Sequence, residues 1–219
     1  MTFTKRKMLA AALGSAFTQR GRAQGPEGGT RPASDAGAIA AHIAGRLQLG
    51  LDGLVQVYFY FFFVDGVGSD LFGGTPGERT AHFTMRTDLL QPLITANGDA
   101  AHLGFQPAAG SEGLYRLYYN SLPGTRDFAK PETFAQGVQI ATFRTRRTQA
   151  TVIPGSHSMA SGTADLTSST PVTFREKTFD IGTLYRSITF EFHSKPLVLG
   201  DIGVTTISLP VAGRLIKVG

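Results

Sequence analysis

Residues 54–64 are the strongest constraint on the fold of this chain, because they are mainly apolar or aromatic on both faces of an extended strand. Side chains along a strand alternate between the two sides of a sheet, so both sides of this one need cover. We expect one face to fill the interior of a β-barrel and the other to meet an N-terminal helix or a second copy of the chain. One face carries Val55, Val57, Phe59, Phe61 and Phe63, and the other carries Gln56, Tyr58, Tyr60, Phe62 and Val64.

Short β-branched and aromatic runs recur through the rest of the chain, separated by clusters of Gly, Pro, Asn and Asp. This pattern is typical of an all-β fold. We predict a single antiparallel β-barrel of about eight to ten strands, with a β-sandwich as the alternative, because alternation is common to both. The remaining predicted strands are residues 79–87, 100–106, 114–120, 137–146, 149–153, 171–179, 184–192, 204–209 and 214–218.

A short helix is predicted ahead of the β domain. Ser34 is a suitable N-cap, and Ile39, Ile43 and Leu47 follow at helical spacing. Residues 24–33 are rich in Gly, Pro and charge, as expected of a linker. The predicted organisation is a signal peptide over residues 1–23, a linker and short helix over 24–53, and a β domain over 54–219.

The first 23 residues have the three regions of a signal peptide. Basic residues 5–7 precede an apolar run over 8–17, and small residues surround Arg22 at the end. The apolar run is far shorter than the roughly 20 residues of a membrane-spanning helix. Lys5-Arg6 resembles a twin-arginine signal in which the first arginine is lysine. We expect cleavage and export to the periplasm or the extracellular space, and the alternative is an amphipathic helix that stays attached.

The basic character of the chain is concentrated in this leader. The net charge is +5, but five of the 21 Lys and Arg residues lie before residue 24, which leaves as many basic as acidic residues in the remainder. We therefore predict no nucleic-acid partner. The chain has no Cys, which excludes disulfides, thiol catalysis and cysteine-ligated zinc. No motif indicates a cofactor.

One combination of residues suggests acid–base chemistry. His82, Arg86 and Asp88 lie at alternate positions of a predicted strand and are expected on one face. A histidine titrates near neutral pH, and a carboxylate can orient it. These three residues are the catalytic candidates, although a solvated strand face would have the same pattern.

Two pairs of residues are candidates for ligand binding. Tyr58 and Tyr60 would present rings and hydroxyls to an apolar molecule in an aromatic interior. Arg144 and Arg146 share a predicted strand face and could hold a carboxylate or phosphate. Protection of an exposed sheet edge explains the arginines equally well.

Other polar clusters are better explained without chemistry. The Gly-rich residues 65–70 lack the Lys of a phosphate loop and the late Glu of a calcium loop, so we predict a turn. Residues 155–162 lack the glycine spacing of a serine-hydrolase elbow, so we predict a flexible hairpin loop. No metal site is predicted, because no two of the histidines 82, 102, 157 and 193 have a recognisable ligand spacing.

Two functions from different classes follow. The first is an exported barrel that binds an apolar small molecule in an aromatic-lined interior, consistent with 16 Phe residues. The second is a cofactor-free isomerase, cyclase or hydrolase that uses the His82 set. A structural role in the cell envelope, with the two-faced strand as an interface between copies, is a third.

Overall fold

The computed structural model describes residues 36–97, 100–153, 156–195 and 206–218. These residues belong to one compact unit, Ala33–Gly219. The predicted signal peptide and linker lie outside them. The strands are β1 (Ile39–Leu49), β2 (Val55–Val64), β3 (Phe83–Thr87), β4 (Leu90–Asn97), β5 (Ala100–Pro107), β6 (Leu114–Tyr119), β7 (Val138–Ile153), β8 (His157–Ser169), β9 (Val172–Phe174), β10 (Lys177–Phe179), β11 (Ser187–Ser194) and β12 (Ile207–Val218). A 3-10 helix spans Pro131–Ala135, and the short helix α1 spans Ile181–Leu184.

Eight strands close into an antiparallel barrel, which confirms the predicted fold class and excludes the sandwich. In order around the barrel they are β1, β2, β4, β5, β7, β8, β11 and β12. The first and last strands pair with each other, so the sheet has no free end. The strands β3 and β6 pair with each other and extend the same wall, with β3 next to β2 and β6 next to β7. Within the described residues, no helix has the length and apolar character that crossing a membrane would require.

The helix predicted after Ser34 is wrong, because residues 39–49 are the strand β1. The apolar residues Ile43 and Leu47 fit a period of two as well as a helical period. As a strand, this segment pairs with both β2 and β12 and completes the barrel. Those two sets of backbone hydrogen bonds outweigh a weak local preference for helix.

Several strand boundaries also differ from the prediction. The two runs predicted at 137–146 and 149–153 form one long strand, β7. The predicted loop at 155–162 lies mostly in β8. The run at 171–179 folds back on itself as the separate hairpin β9–β10, which turns at Arg175 and Glu176. The strand β4 was not predicted at all. The Gly-rich residues 65–70 form a turn closed by a bridge between Val64 and Gly68.

Apolar side chains fill most of the barrel. The inward face of β2 carries Phe59 and Phe61, and the Phe59 ring lies 5.8 Å from the Phe192 ring across the barrel. The segment after β10 covers one end, where the carbonyl oxygens of Ala40 (2.9 Å) and Asp65 (3.0 Å) share the single proton of the Tyr185 hydroxyl. The opposite end, where the turn at residues 50–53 lies, is called the turn-50 end below.

The outer face of β2 is covered by residues 120–137 of the same chain. The Phe134 ring lies 4.9 Å from the Tyr58 ring, and the Phe134 carbonyl oxygen accepts a hydrogen bond from Thr84 on β3. Arg126 anchors this covering segment: its buried guanidinium donates to the carbonyl oxygen of Ala81. Burial lowers the pKa of Arg126 to about 10. The cover predicted from a helix or a second copy is thus supplied by a loop.

Candidate functional sites

An apolar cavity lies inside the barrel at the turn-50 end. Its volume is about 40 Å³. Small apolar cavities of this kind stay dry, because a water molecule needs polar partners. The lining comes from strands on all sides of the barrel and includes Leu47, Leu49, Val55, Val57, Leu103, Phe105, Ala150, Val152, Ala160, Phe192, Leu209 and Val211.

The cavity is close to the surface. Met159 contributes to its lining and is 46% exposed, while Leu47, Phe105 and Leu209 are only partly buried. Partly buried side chains therefore separate the cavity from solvent at this end. A second apolar cavity of about 20 Å³ lies at the opposite end, beneath Phe179, Ile181 and Tyr185.

Two buried hydroxyls lie within the described part of the barrel without a partner in hydrogen-bond geometry. They belong to Tyr115 on β6 and Thr148 on β7. Burial raises the pKa of the Tyr115 hydroxyl well above its usual range, and the neighbouring Thr148 hydroxyl acts in the opposite direction. The Tyr115 ring instead packs against Phe190 at 5.0 Å.

The structure does not bring His82 together with Arg86 and Asp88. The His82 ring packs edge-on against Phe174 at 5.1 Å, and its Nδ1 atom lies 2.8 Å from the carbonyl oxygen of Asn120. A carbonyl only accepts hydrogen bonds, so Nδ1 carries the proton in this contact. Thr84, which lies between His82 and Arg86 on the strand, is buried under the segment 120–137. The expected common polar groove of the three residues is therefore not formed.

Arg86 and Asp88 do share a groove on the outer surface. The groove has a volume of about 470 Å³ and is also lined by Arg116 and Tyr118 of β6. The Asp88 carboxylate accepts hydrogen bonds from Nε of Arg116 at 3.0 Å and from the backbone N–H of Leu114 at 3.1 Å. The Asp88 hydrogen bond raises the pKa of Arg116. Asp88 therefore orients Arg116, and no contact links it to a histidine.

Tyr58 and Tyr60 lie on the outer face of β2 and do not line the barrel interior. The Tyr58 hydroxyl donates to the carbonyl oxygen of Phe128 at 2.8 Å, and the Tyr60 ring packs against Phe72 at 6.0 Å. Burial raises the pKa of both tyrosines. Contacts with Phe72 and with Phe128 of the covering segment account for their positions, and their role in ligand binding stays a prediction.

Arg144 and Arg146 are exposed on the outside of β7. Arg146 lies at an irregularity in the pairing with β8 and forms an ion pair with Asp165. A hydrogen bond from Ser187 and the Arg146 guanidinium lower the pKa of Asp165. Edge protection does not explain these arginines, because β7 pairs on both sides. Arg146 borders a second outer groove, of about 620 Å³, together with His102 and Arg147.

The other three histidines considered as metal ligands, His102, His157 and His193, have few polar neighbours. Nδ1 of His102 lies 3.3 Å from the Thr151 hydroxyl, and Nδ1 of His157 lies 2.7 Å from the Ser156 hydroxyl. His193 is exposed on β11. In the ranges that the structure describes, no three His, Asp or Glu side chains are grouped so that they could hold a metal ion.

Some site residues were missed in the sequence. Arg116 and Tyr118 alternate with buried Leu117 on a correctly predicted strand, so the polar face of that strand was a usable signal. Leu47 and Leu49 were missed as cavity residues because their segment was predicted to be helical.

Comparison with protein-family models gives no match. No curated protein and no solved structure matches the chain either. The cavity inside the barrel and the groove at Arg86 are the structural features that bear on function.

Proposed function

We propose that the barrel binds the apolar part of a small molecule in the cavity at the turn-50 end. The observation that carries this proposal is the aliphatic and aromatic lining of a space that lies close to the surface, beneath the partly buried Leu47, Phe105 and Leu209. An apolar group that enters this space leaves water, which is favourable by about 0.8 kcal/mol for each buried CH₂.

The size of the cavity restricts the ligand. Pockets for drug-sized ligands have volumes of about 300–1,000 Å³, far above the 40 Å³ of this cavity. The ligand therefore inserts a slim group such as the end of an alkyl chain. Rotation of the half-buried Leu47 and Leu209 makes room for the rest of the chain at this end.

Binding can be tested with 1-hexanol and 1-octanol, followed by NMR of the Leu, Val and Met methyl groups in the purified protein. We expect saturable shifts centred on Val57, Val211 and Met159, with tighter binding of the longer alcohol. Ala160→Leu would fill the cavity and weaken binding by at least about tenfold, since it occupies the space of several CH₂ groups.

The matched control is Ala212→Leu, the same substitution at an exposed position of β12. It should bind the alcohols as the original chain does. Thermal unfolding of both variants checks that each is folded. The proposal fails if the methyl shifts do not saturate, or if Ala160→Leu and Ala212→Leu bind equally well.

We also propose that the chain is exported by way of residues 1–23. The order of basic, apolar and small residues in that segment supports this. After expression of the full chain in a bacterium, sequencing of the mature N-terminus should begin at Gln24. A protein that stays in the cytoplasm with Met1 in place would contradict export. Replacement of Lys5 and Arg6 by Gln should block export if the twin-arginine route is used.

A further inference from the structure

Two arginines face each other on the outer wall of the barrel, and their surroundings differ. Arg86 on β3 is directly opposite Arg116 on β6 in the strand pairing. Like charges in this relation repel. Arg116 is compensated by Asp88, 3.0 Å away, and by Glu112, 3.6 Å away. Arg86 is half-buried, yet its guanidinium makes no hydrogen bond or ion pair with any of the residues described in the structure.

Asp88 does not compensate Arg86. One of its carboxylate oxygens accepts from Nε of Arg116, and the other accepts from the Leu114 N–H and from Nη2 of Arg116 at 3.3 Å. The carboxylate is therefore held on the Arg116 side. The guanidinium of Arg86 keeps its full set of N–H donors for another acceptor.

Arg86 lines a groove large enough for a small organic molecule. The groove has a volume of about 470 Å³, and Leu54, Leu89 and Ala108 give it an apolar wall. Tyr118 lies on its border with a hydroxyl that can donate a hydrogen bond. We propose that this groove binds a small organic oxyanion, a carboxylate or a phosphate monoester, whose charged group pairs with Arg86.

The chemistry of the side chains supports this choice. A guanidinium presents parallel N–H groups that match the two oxygens of a carboxylate or phosphate. Asp88 and Glu112 also line the groove, but both already pair with Arg116, so the oxyanion would pair with the guanidinium of Arg86. Burial raises the pKa of Tyr118, so its hydroxyl stays protonated at neutral pH and is able to donate. The apolar part of the ligand would lie on Leu54 and Leu89.

The test uses benzoate and phenyl phosphate as the two probes, with sodium chloride at equal ionic strength as the reference. Backbone NMR of the purified protein should show saturable shifts at Thr87 and Leu114 below about 10 mM probe. Arg86→Gln should weaken binding by at least about tenfold. Arg86→Lys retains the charge but loses the paired N–H groups, so its affinity for the probe should lie between those of Arg86→Gln and the original chain.

The matched control is Arg186→Gln, which removes an exposed arginine that does not line the groove. It should leave binding unchanged, and thermal unfolding without anions should show that every variant is folded. Saturation by benzoate alone or by phenyl phosphate alone supports the site and identifies which oxyanion it takes. The proposal is overturned if neither probe saturates the original chain, or if the glutamine substitutions at 86 and 186 weaken binding equally.

Discussion

Gly45 on β1 lies directly across from Phe59 on β2, at a point where only a residue without a β-carbon fits. A β-carbon at position 45 would overlap the carbonyl oxygen of Tyr58 and would lie 2.6 Å from the α-carbon of Phe59. Phe59 is fully buried, so it cannot move outward to make room. The close approach of these strands thus depends on glycine at this position.

Replacement of Gly45 by Ala is expected to destabilise the barrel. Overpacking of a well-packed core costs about 1–3 kcal/mol, and we expect the free energy of unfolding to fall by this amount in urea denaturation. Gly104→Ala is the control, because a β-carbon there would meet Leu93 only at an ordinary distance of 3.9 Å. Equal stability of the two variants would contradict the packing described for Gly45.

Because the Tyr115 hydroxyl is buried, we expect it to affect how the free energy of unfolding changes at alkaline pH. Because burial raises its pKa, Tyr115 keeps its proton in the folded state at pH values where the unfolded chain loses it, near 10. The stability that results is present below pH 10 and is lost as the pH rises above it. In Tyr115→Phe, the decline in the free energy of unfolding above pH 10 should therefore be shallower.

At pH 7 the same substitution should cost little. The Tyr115 hydroxyl has no partner in hydrogen-bond geometry among the described residues, so its removal should change stability by less than about 1 kcal/mol. Tyr185→Phe is the comparison, because the proton of that hydroxyl is shared by two carbonyl oxygens and its loss should cost about 1–3 kcal/mol. Similar losses in both variants would indicate a partner for Tyr115.

The sequence predicts strands well where alternation and turn residues agree. The strands β2, β5, β6 and β11 combine β-branched or aromatic residues with Gly, Pro or Asn at their ends, and each was predicted near its observed position. The strand β8 is rich in Ala, Ser, Gly and Thr and has little preference of its own. Its conformation comes from pairing with β7 and β11 on either side, which no local pattern reveals.

The candidate sites depend still more on distant contacts. Alternation predicts that Arg86 and Asp88 share one face of the strand, but it could not show that Asp88 is engaged by Arg116, about thirty positions away. Alternation also cannot tell which of the two faces of β2 points into the barrel. Packing of the segment 120–137 on Tyr58 decides it, because those contacts bury the tyrosine on the outside.

His82 is expected to contribute to stability through its packing. Its Nδ1 atom donates to the Asn120 carbonyl oxygen, and its ring packs on Phe174 and on Tyr119. His82→Ala removes both interactions and should lower the free energy of unfolding by about 1–3 kcal/mol. His82→Phe keeps a ring against Phe174 but loses the hydrogen bond, so it should recover part of that loss.

Urea denaturation measures these differences. Arg86→Gln is the control on the same strand, since Arg86 makes none of the contacts of His82, and its stability should stay within about 0.5 kcal/mol of the original chain. An equally small change for His82→Ala would mean that the imidazole is not held by Asn120 and Phe174. The histidine would then be free to turn toward solvent, and His82 would again be a candidate for a general acid or base.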